Sequence, residues 1–181
     1  MMEDLSLHIL DLAENATAAG ARWIAIAINE NEKRDILTIR VEDDGPGMTG
    51  EERARALDPF FTTKHKKTGL GLALLAQTAG QCGGKVVLDS APMEGTKVKA
   101  LFRYHHIDRP PLTRMAETLM MLAFGHPEID LRYSHRRNGR VFRFESRQFL
   151  RQAGRGPVWT PWMIEAVGKA LRGGLRKIGA G

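Results

Sequence analysis

Glycine and proline punctuation constrains this chain more than any other feature. It cuts the first hundred residues into segments whose apolar spacing alternates between helical and extended. Leu5, Ile9, Leu12, Ala13 and Ala16 recur at helical spacing up to a natural stop at Gly20. Ala21 to Ile28 alternates as a strand does, and a polar turn over 29–35 leads to a second strand from Ile36 to Glu42. Two glycines and a proline between Asp43 and Gly47 require a loop. Thr49 to Leu57 reads as a short helix with Thr49 as N-cap and Glu52 three residues on, a capping-box pattern. After a polar, basic loop over Pro59 to Thr68, a second apolar helix runs from Gly71 to Gly80 and stops before Gly83-Gly84. Lys85 to Ser90 and Thr96 to Tyr104 form two more strands around a Pro92 to Gly95 turn. Helix, hairpin, loop, short helix, lid-like loop, helix, hairpin: that order suits an α+β, two-layer sandwich, a mixed sheet covered by helices on one face.

Charge divides the chain. Residues 1–104 carry 13 basic and 15 acidic side chains, a net of −2, whereas residues 105–181 carry 14 and 6, a net of +8. The contrast predicts a first domain over 1–104 and a basic α/β extension over 105–181, joined near His105 to Pro111. In the extension, a helix is expected from Leu112 to Phe124 and a hairpin from Ile129 to Ser134 and Arg140 to Phe144. Asn138-Gly139 marks its turn. Thr160-Pro161 opens a last helix toward Leu171, which Trp159 and Trp162 are expected to pack. Arg132, Arg136, Arg137, Arg140, Arg143 and Arg147 predict a basic stripe on the hairpin. Through residues 129–147 it points to an acidic partner surface, protein or nucleic acid; the alternative is an edge hairpin that its charges protect from aggregation. No zinc-finger, helix-turn-helix or RNA-binding signature accompanies it.

Other classes fall away. The single cysteine, Cys82, permits neither an intramolecular disulfide nor a CxxC metal site, and a reducing cytoplasm fits. Apolar runs such as Ile24 to Ile28 are far too short for a bilayer, and Glu3 and Asp4 stand where a signal peptide would be basic. No membrane association is expected. Of the six histidines, His105, His106, His126 and His135 show no ligand spacing with cysteine or carboxylates.

Four segments carry chemistry. On the first helix Asp11 and Asn15 are four residues apart and share a face, with His8 one turn earlier. An Asn carbonyl oxygen suits a hard cation such as Mg²⁺, and an Asp can take a proton, although a solvated polar stripe has the same spacing. Val41 to Met48 ends a strand in two carboxylates and a Gly-Pro-Gly turn. Asp43 there can accept from an exocyclic amine, and Gly45 and Gly47 allow close backbone approach to a flat ring. Lys67 to Leu74 opens a helix with Gly69 and Gly71, a phosphate-binding arrangement with Lys64, Lys66 and Lys67 just before it. It is neither a Walker A loop nor a dinucleotide fingerprint. Last, Glu94-Gly95-Thr96 sets a hydroxyl between two strands.

The order of these segments resembles the GHKL nucleotide-binding (Bergerat) fold of histidine kinases, type II topoisomerases and mismatch-repair ATPases, over roughly residues 5–103. The resemblance implies an N box whose magnesium ligand is Asn15. It implies a first glycine box of Asp43, Gly45 and Gly47, with Asp43 as adenine acceptor and Met48 beside it. Asp58 to Lys64 is similar to the kinase F box that starts an ATP lid, which adds Phe60 and Lys64. Gly69, Leu70, Gly71 and Leu72 match the second glycine box, and Thr96 the last strand turn. Where the ATPases of the family carry a general-base Glu, this chain has Asp11, with Glu14 on another helix face. Position 18, often Asp in some members, is Ala18. With Met1 only 14 residues before Asn15, no phosphoacceptor hairpin is expected ahead of the N box, so the expectation is a stand-alone module. The resemblance, closest in kind to anti-sigma-factor kinases and histidine-kinase catalytic halves, implies an Mg²⁺-dependent ATP-binding protein that hydrolyses ATP or phosphorylates a partner protein. An ATP-driven conformational switch without phosphate transfer, or a nucleic-acid-associated ATPase, are the alternatives.

Overall fold

A computed structural model describes residues 4–57, 71–152 and 160–180. Helices α1 (Leu5–Ala18), α2 (Gly50–Arg55), α3 (Gly71–Gln81), α4 (Met115–Gly125), α5 (Ser146–Gln152) and α6 (Pro161–Ile178) accompany strands β1 (Trp23–Asn31), β2 (Ile36–Asp43), β3 (Lys85–Ser90), β4 (Thr96–Arg103), β5 (Asp130–Arg137) and β6 (Arg140–Glu145). The strands form one mixed sheet in the order β3-β4-β2-β1-β5-β6. Every pairing is antiparallel except β1 with β5. The architecture is the α+β layering that the segment order implies.

Local chemistry sets several boundaries. Asp4 caps α1 by accepting from the Ser6 amide. The Thr49–Glu52 capping box is complete, each side chain bonded to the other's backbone amide. Asn138 and Gly139 both take positive φ, 48° and 89°, as a two-residue hairpin turn between Arg137 and Arg140 demands. Helix α6 buries Met163, Val167, Leu171, Leu175 and Ile178 as one stripe. Trp162 falls off that stripe and is 61% exposed, so it does not pack the helix as the sequence suggests; Met163 takes that role. Trp159 lies outside the described residues. The short α5 has no counterpart in the sequence reading. Ser146 secures it from its first turn, its hydroxyl accepting from the Leu131 amide and donating to the Ile129 carbonyl.

Alternation along the strands separates two faces. Ile24, Ile26 and Ile28 of β1, with Leu37, Ile39 and Val41 of β2, point into the helix layer and are nearly fully buried. Leu131, Tyr133 and Phe144 continue that face into β5 and β6, so residues from both the neutral and the basic parts of the chain share one core.

The two parts are joined by a polar seam. Both Thr113 groups, amide and hydroxyl, donate to Asp4 Oδ2, at 3.1 and 2.6 Å. The Leu5 amide donates to the Pro111 carbonyl at 2.8 Å, and the Arg114 amide to Ser6 Oγ at 3.2 Å. Between β1 and β5, His135 Nε2 lies 2.7 Å from Glu30 Oε1 and its Nδ1 2.7 Å from the Tyr133 hydroxyl, all buried. Arg137 turns inward to Glu32 at 3.0 Å and to Glu30 at 4.0 Å. The hairpin arginines therefore do not form one stripe: parity sends Arg132, Arg136 and Arg143 outward and Arg137 to the seam.

Candidate functional site

Asp43 ends β2 on the helix-covered face, because it pairs with the inward Ile24. Its Oδ1 accepts from the Gly45 amide at 2.8 Å, and a carboxylate retains further lone pairs for an outside donor. Burial pushes its pKa up, against partial relief from the backbone of Gly45 and Thr96; the neighbouring Asp44 adds to the rise. Asp44 points elsewhere: it accepts from the amides of Arg22 and Trp23 at 2.7 and 2.8 Å and pins the loop to the start of β1.

The glycines after Asp43 are required by the fold itself. Gly47 has φ +68°, and a Cβ there would strike the Ala91 carbonyl; Gly95, φ +77°, would strike the Asp43 carbonyl. Met48 follows in the loop, its amide donating to Ser90 Oγ at 2.9 Å. Ser90 in turn donates to the Gly95 carbonyl at 2.8 Å and lies 3.1 Å from Thr96 Oγ1. Thr96 pairs directly with Asp43 across β4 and β2. Ser90 is the organising residue that sequence reasoning missed. Nothing local distinguishes a serine at a strand end, and its role depends on three segments meeting.

The first helix brings the second half of the site. Asp11 is half-buried and makes no hydrogen bond or ion pair with a described residue. Burial, then the nearby Glu14 charge, raise its pKa above the usual carboxylate range. Its carboxylate lies against Gly71, the first residue of α3, where any Cβ would collide with Oδ2. Asn15 stands one turn further on, half-buried. The α1 terminus returns to the loop: the Ala21 amide donates to the Ala16 carbonyl, and a Cβ on Gly45 would sit 3.9 Å from Ala21 Cβ. Asn15 and Asp43 thus lie toward the same end of the sheet, with Gly71 and the buried Leu72 on α3 beside Asp11.

Two neighbours are diverted. Glu14 reaches His126 after α4, 3.0 Å away. His8 is 1% exposed with neither ring nitrogen hydrogen-bonded, and burial lowers its pKa, which favours the neutral ring. Phe60, Lys64, Gly69 and Leu70, with the rest of the expected lid, lie outside the described residues. Among the described residues, no cluster of His, Cys, Asp and Glu has the form of a metal site. Asn15 carries a side-chain oxygen of the kind a hard cation such as Mg²⁺ accepts.

A half-buried carboxylate at a strand end, a glycine-shaped loop and a carboxylate–amide pair on the adjacent helix stand together at one end of the sheet. The chain belongs to the family of histidine kinase-, DNA gyrase B- and HSP90-like ATPases, whose sequence profile matches residues 3–106. It is similar to the sensor histidine kinase ZraS of Klebsiella oxytoca, 37% identical over 98 residues, which are 54% of this chain and 20% of that kinase. It is also similar to the nitrogen regulation protein NtrY of Azorhizobium caulinodans, 39% identical over 37% of this chain and 9% of that protein. The sensory histidine kinase/phosphatase NtrB of Azospirillum brasilense is 45% identical over 31% of this chain and 14% of its own length. The chain therefore spans a fifth or less of these relatives. Among solved structures, the mycobacterial sensor histidine kinase MprB is similar over 52% of this chain and 66% of that one, with a TM-score of 0.43 and 24% identity. No helix among the described residues is long and apolar enough to cross a membrane.

Proposed function

We propose that this protein binds Mg·ATP between α1, the end of β2 and the start of α3, and uses it to phosphorylate a partner protein or to hydrolyse ATP. Asp43 would accept the adenine amine, Asn15 would hold Mg²⁺, and Asp11 would take the proton of the attacking hydroxyl or water. The observation that carries this reading is Asp11: a half-buried carboxylate, raised in pKa, unpaired among the described residues, and lodged at the glycine that opens α3. A structural carboxylate would be paired. A raised, unpaired one is suited to proton transfer. The single buried thiol, Cys82, accords with a reducing cytoplasm. The test is incubation with γ-labelled ATP and a cell lysate, with Asp11→Asn alongside. Label on a partner, lost in the variant while ATP affinity holds, is the expected result. Tight ATP binding with neither turnover nor transfer would overturn it.

One observation favours a second reading, in which ATP sets a conformation. The helix that bears Asp11 and Asn15 is gripped by the extension near both ends, through Thr113 at Asp4 and through His126 at Glu14. Nucleotide-dependent movement of α1 would pass directly to α4. Slowed hydrogen exchange in α4 on adding ATP, without turnover, would select this reading.

A further inference from the structure

The face of the sheet turned away from the helices holds a basic groove. One row across the strands reads Lys99, Arg40, Ala27, Ser134, Arg143, each paired in register with the next. Strands about 4.8 Å apart put the ends of that row roughly 19 Å from each other. The small Ala27 and Ser134 leave a depression of about 330 Å³ between the long cations. A second depression of about 330 Å³ adjoins it, sharing Asn29 and Arg136 and adding Lys33 toward the hairpin turn.

These five cations, Lys33, Arg40, Lys99, Arg136 and Arg143, make no ion pair or side-chain hydrogen bond with a described residue. Arg22, Arg103, Arg132 and Arg137 all find carboxylates. Arg40 and Lys99 even stand directly opposite each other, an arrangement of like charges that destabilises a sheet. Protection of a sheet edge does not account for Arg40, Lys99 and Arg136, because β2, β4 and β5 are interior strands. A counter-charge from outside does.

We infer that this groove docks an extended, acidic segment of a partner protein. Two adjoining depressions suit a run of chain better than a compact ion. No aromatic side chain lines either one, so bases would have nothing to stack on. The next row toward Asp43 alternates in sign, Lys97, Glu42, Arg132 and Glu145 about Ala25, so the unbroken positive charge stops at the groove and does not extend over the wider footprint of a duplex. The groove needs both parts of the chain: Arg40 and Lys99 come from the family-matched residues, Arg136 and Arg143 from the extension. It also lies on the opposite face from Asp43, so docking leaves the nucleotide site free, and it is measured without nucleotide. Failure of the ATP reading and failure of this one are therefore separate results.

The probe is a fluorescein-labelled 12-residue peptide of alternating Glu and Ser, read by anisotropy against the full chain. Binding is expected, weakening with salt as exposed charge pairs do. Arg40→Gln with Arg143→Gln should lower affinity about tenfold. Arg147→Gln with Arg176→Gln, equal in charge lost but away from the groove, should change it less than about twofold. All four side chains are exposed, and melting temperature checks that each variant folds. Equal losses in the two double variants would overturn the inference. So would tighter binding of a 12-nucleotide oligo-dT, or a dimer of the wild type that the groove variants abolish.

Discussion

The two polar regions of this molecule treat their carboxylates in opposite ways. In the seam, Asp4 and Glu30 are 3% and 7% exposed. Burial alone would raise both pKa values. The bonds from Thr113 and Ser6 to Asp4, and those from His135 and Arg137 to Glu30, outweigh it and hold both low. At the site, Asp11 and Asp43 are less buried yet are raised, because too few donors face them. The seam is satisfied and the site is not. Burial depth does not separate the two regions; the number of partners among the described residues does.

The largest effect tests the site. A general base contributes about 10²–10⁴-fold to rate and little to ground-state affinity. Asp11→Asn should therefore cut turnover by that order while calorimetric ATP affinity holds. An unchanged rate would remove the contrast between the two regions.

Next comes the seam. His135→Leu leaves the Glu30 carboxylate buried with only the more distant Arg137, which should cost about 3–5 kcal/mol of stability. At roughly 2–4 °C per kcal/mol for a chain of this size, thermal unfolding should begin on the order of ten degrees lower. A shift within two degrees would mean that the seam does not hold the extension to the sheet.

Asp43→Ala should lose a charge-assisted hydrogen bond, about 1.5–3 kcal/mol or roughly ten- to a hundred-and-fifty-fold in ATP affinity. GTP, which presents a carbonyl oxygen where adenine has its amine, should bind the wild type more weakly than ATP. Equal affinities would remove Asp43 from the base pocket.

The smallest effect is in stability against pH. Groups with raised values, Asp11 and Asp43, contribute stability that is present below the ordinary carboxylate range and is lost as pH rises through those values. Asp4 and Glu30 contribute stability present above that range and lost as pH falls through their lowered values. Asp11→Asn should accordingly raise the melting temperature without nucleotide by a few degrees at about pH 7, and by less at about pH 4. A gain that is the same at both would assign it to packing instead.

Much of this was legible in the residue order. The caps at Asp4 and Thr49, the Asn138-Gly139 turn and the strand-to-glycine loop at Asp43 depend on neighbours within a few positions. The apolar stripe of α6 is periodic, and Trp162 misleads only because an aromatic beside a proline resembles a packing residue. The short α5 was invisible because its first turn is held by a serine bonded to β5, fifteen residues back.

By itself, then, the sequence determined the elements, the order of the nucleotide-site segments and the charge contrast between the chain's two parts. All of these follow from short-range spacing and composition. Only the tertiary structure decided that β5 lies parallel to β1, because a parallel pairing is bridged by about a hundred residues that carry no local mark of it. That one pairing sets the rest. It closes the Glu30–His135 seam and brings Arg40 and Lys99 into one row with Arg143. Strand parity then turns alternate side chains to opposite faces, so that a single arginine cluster in the sequence becomes one salt bridge inside and one groove outside.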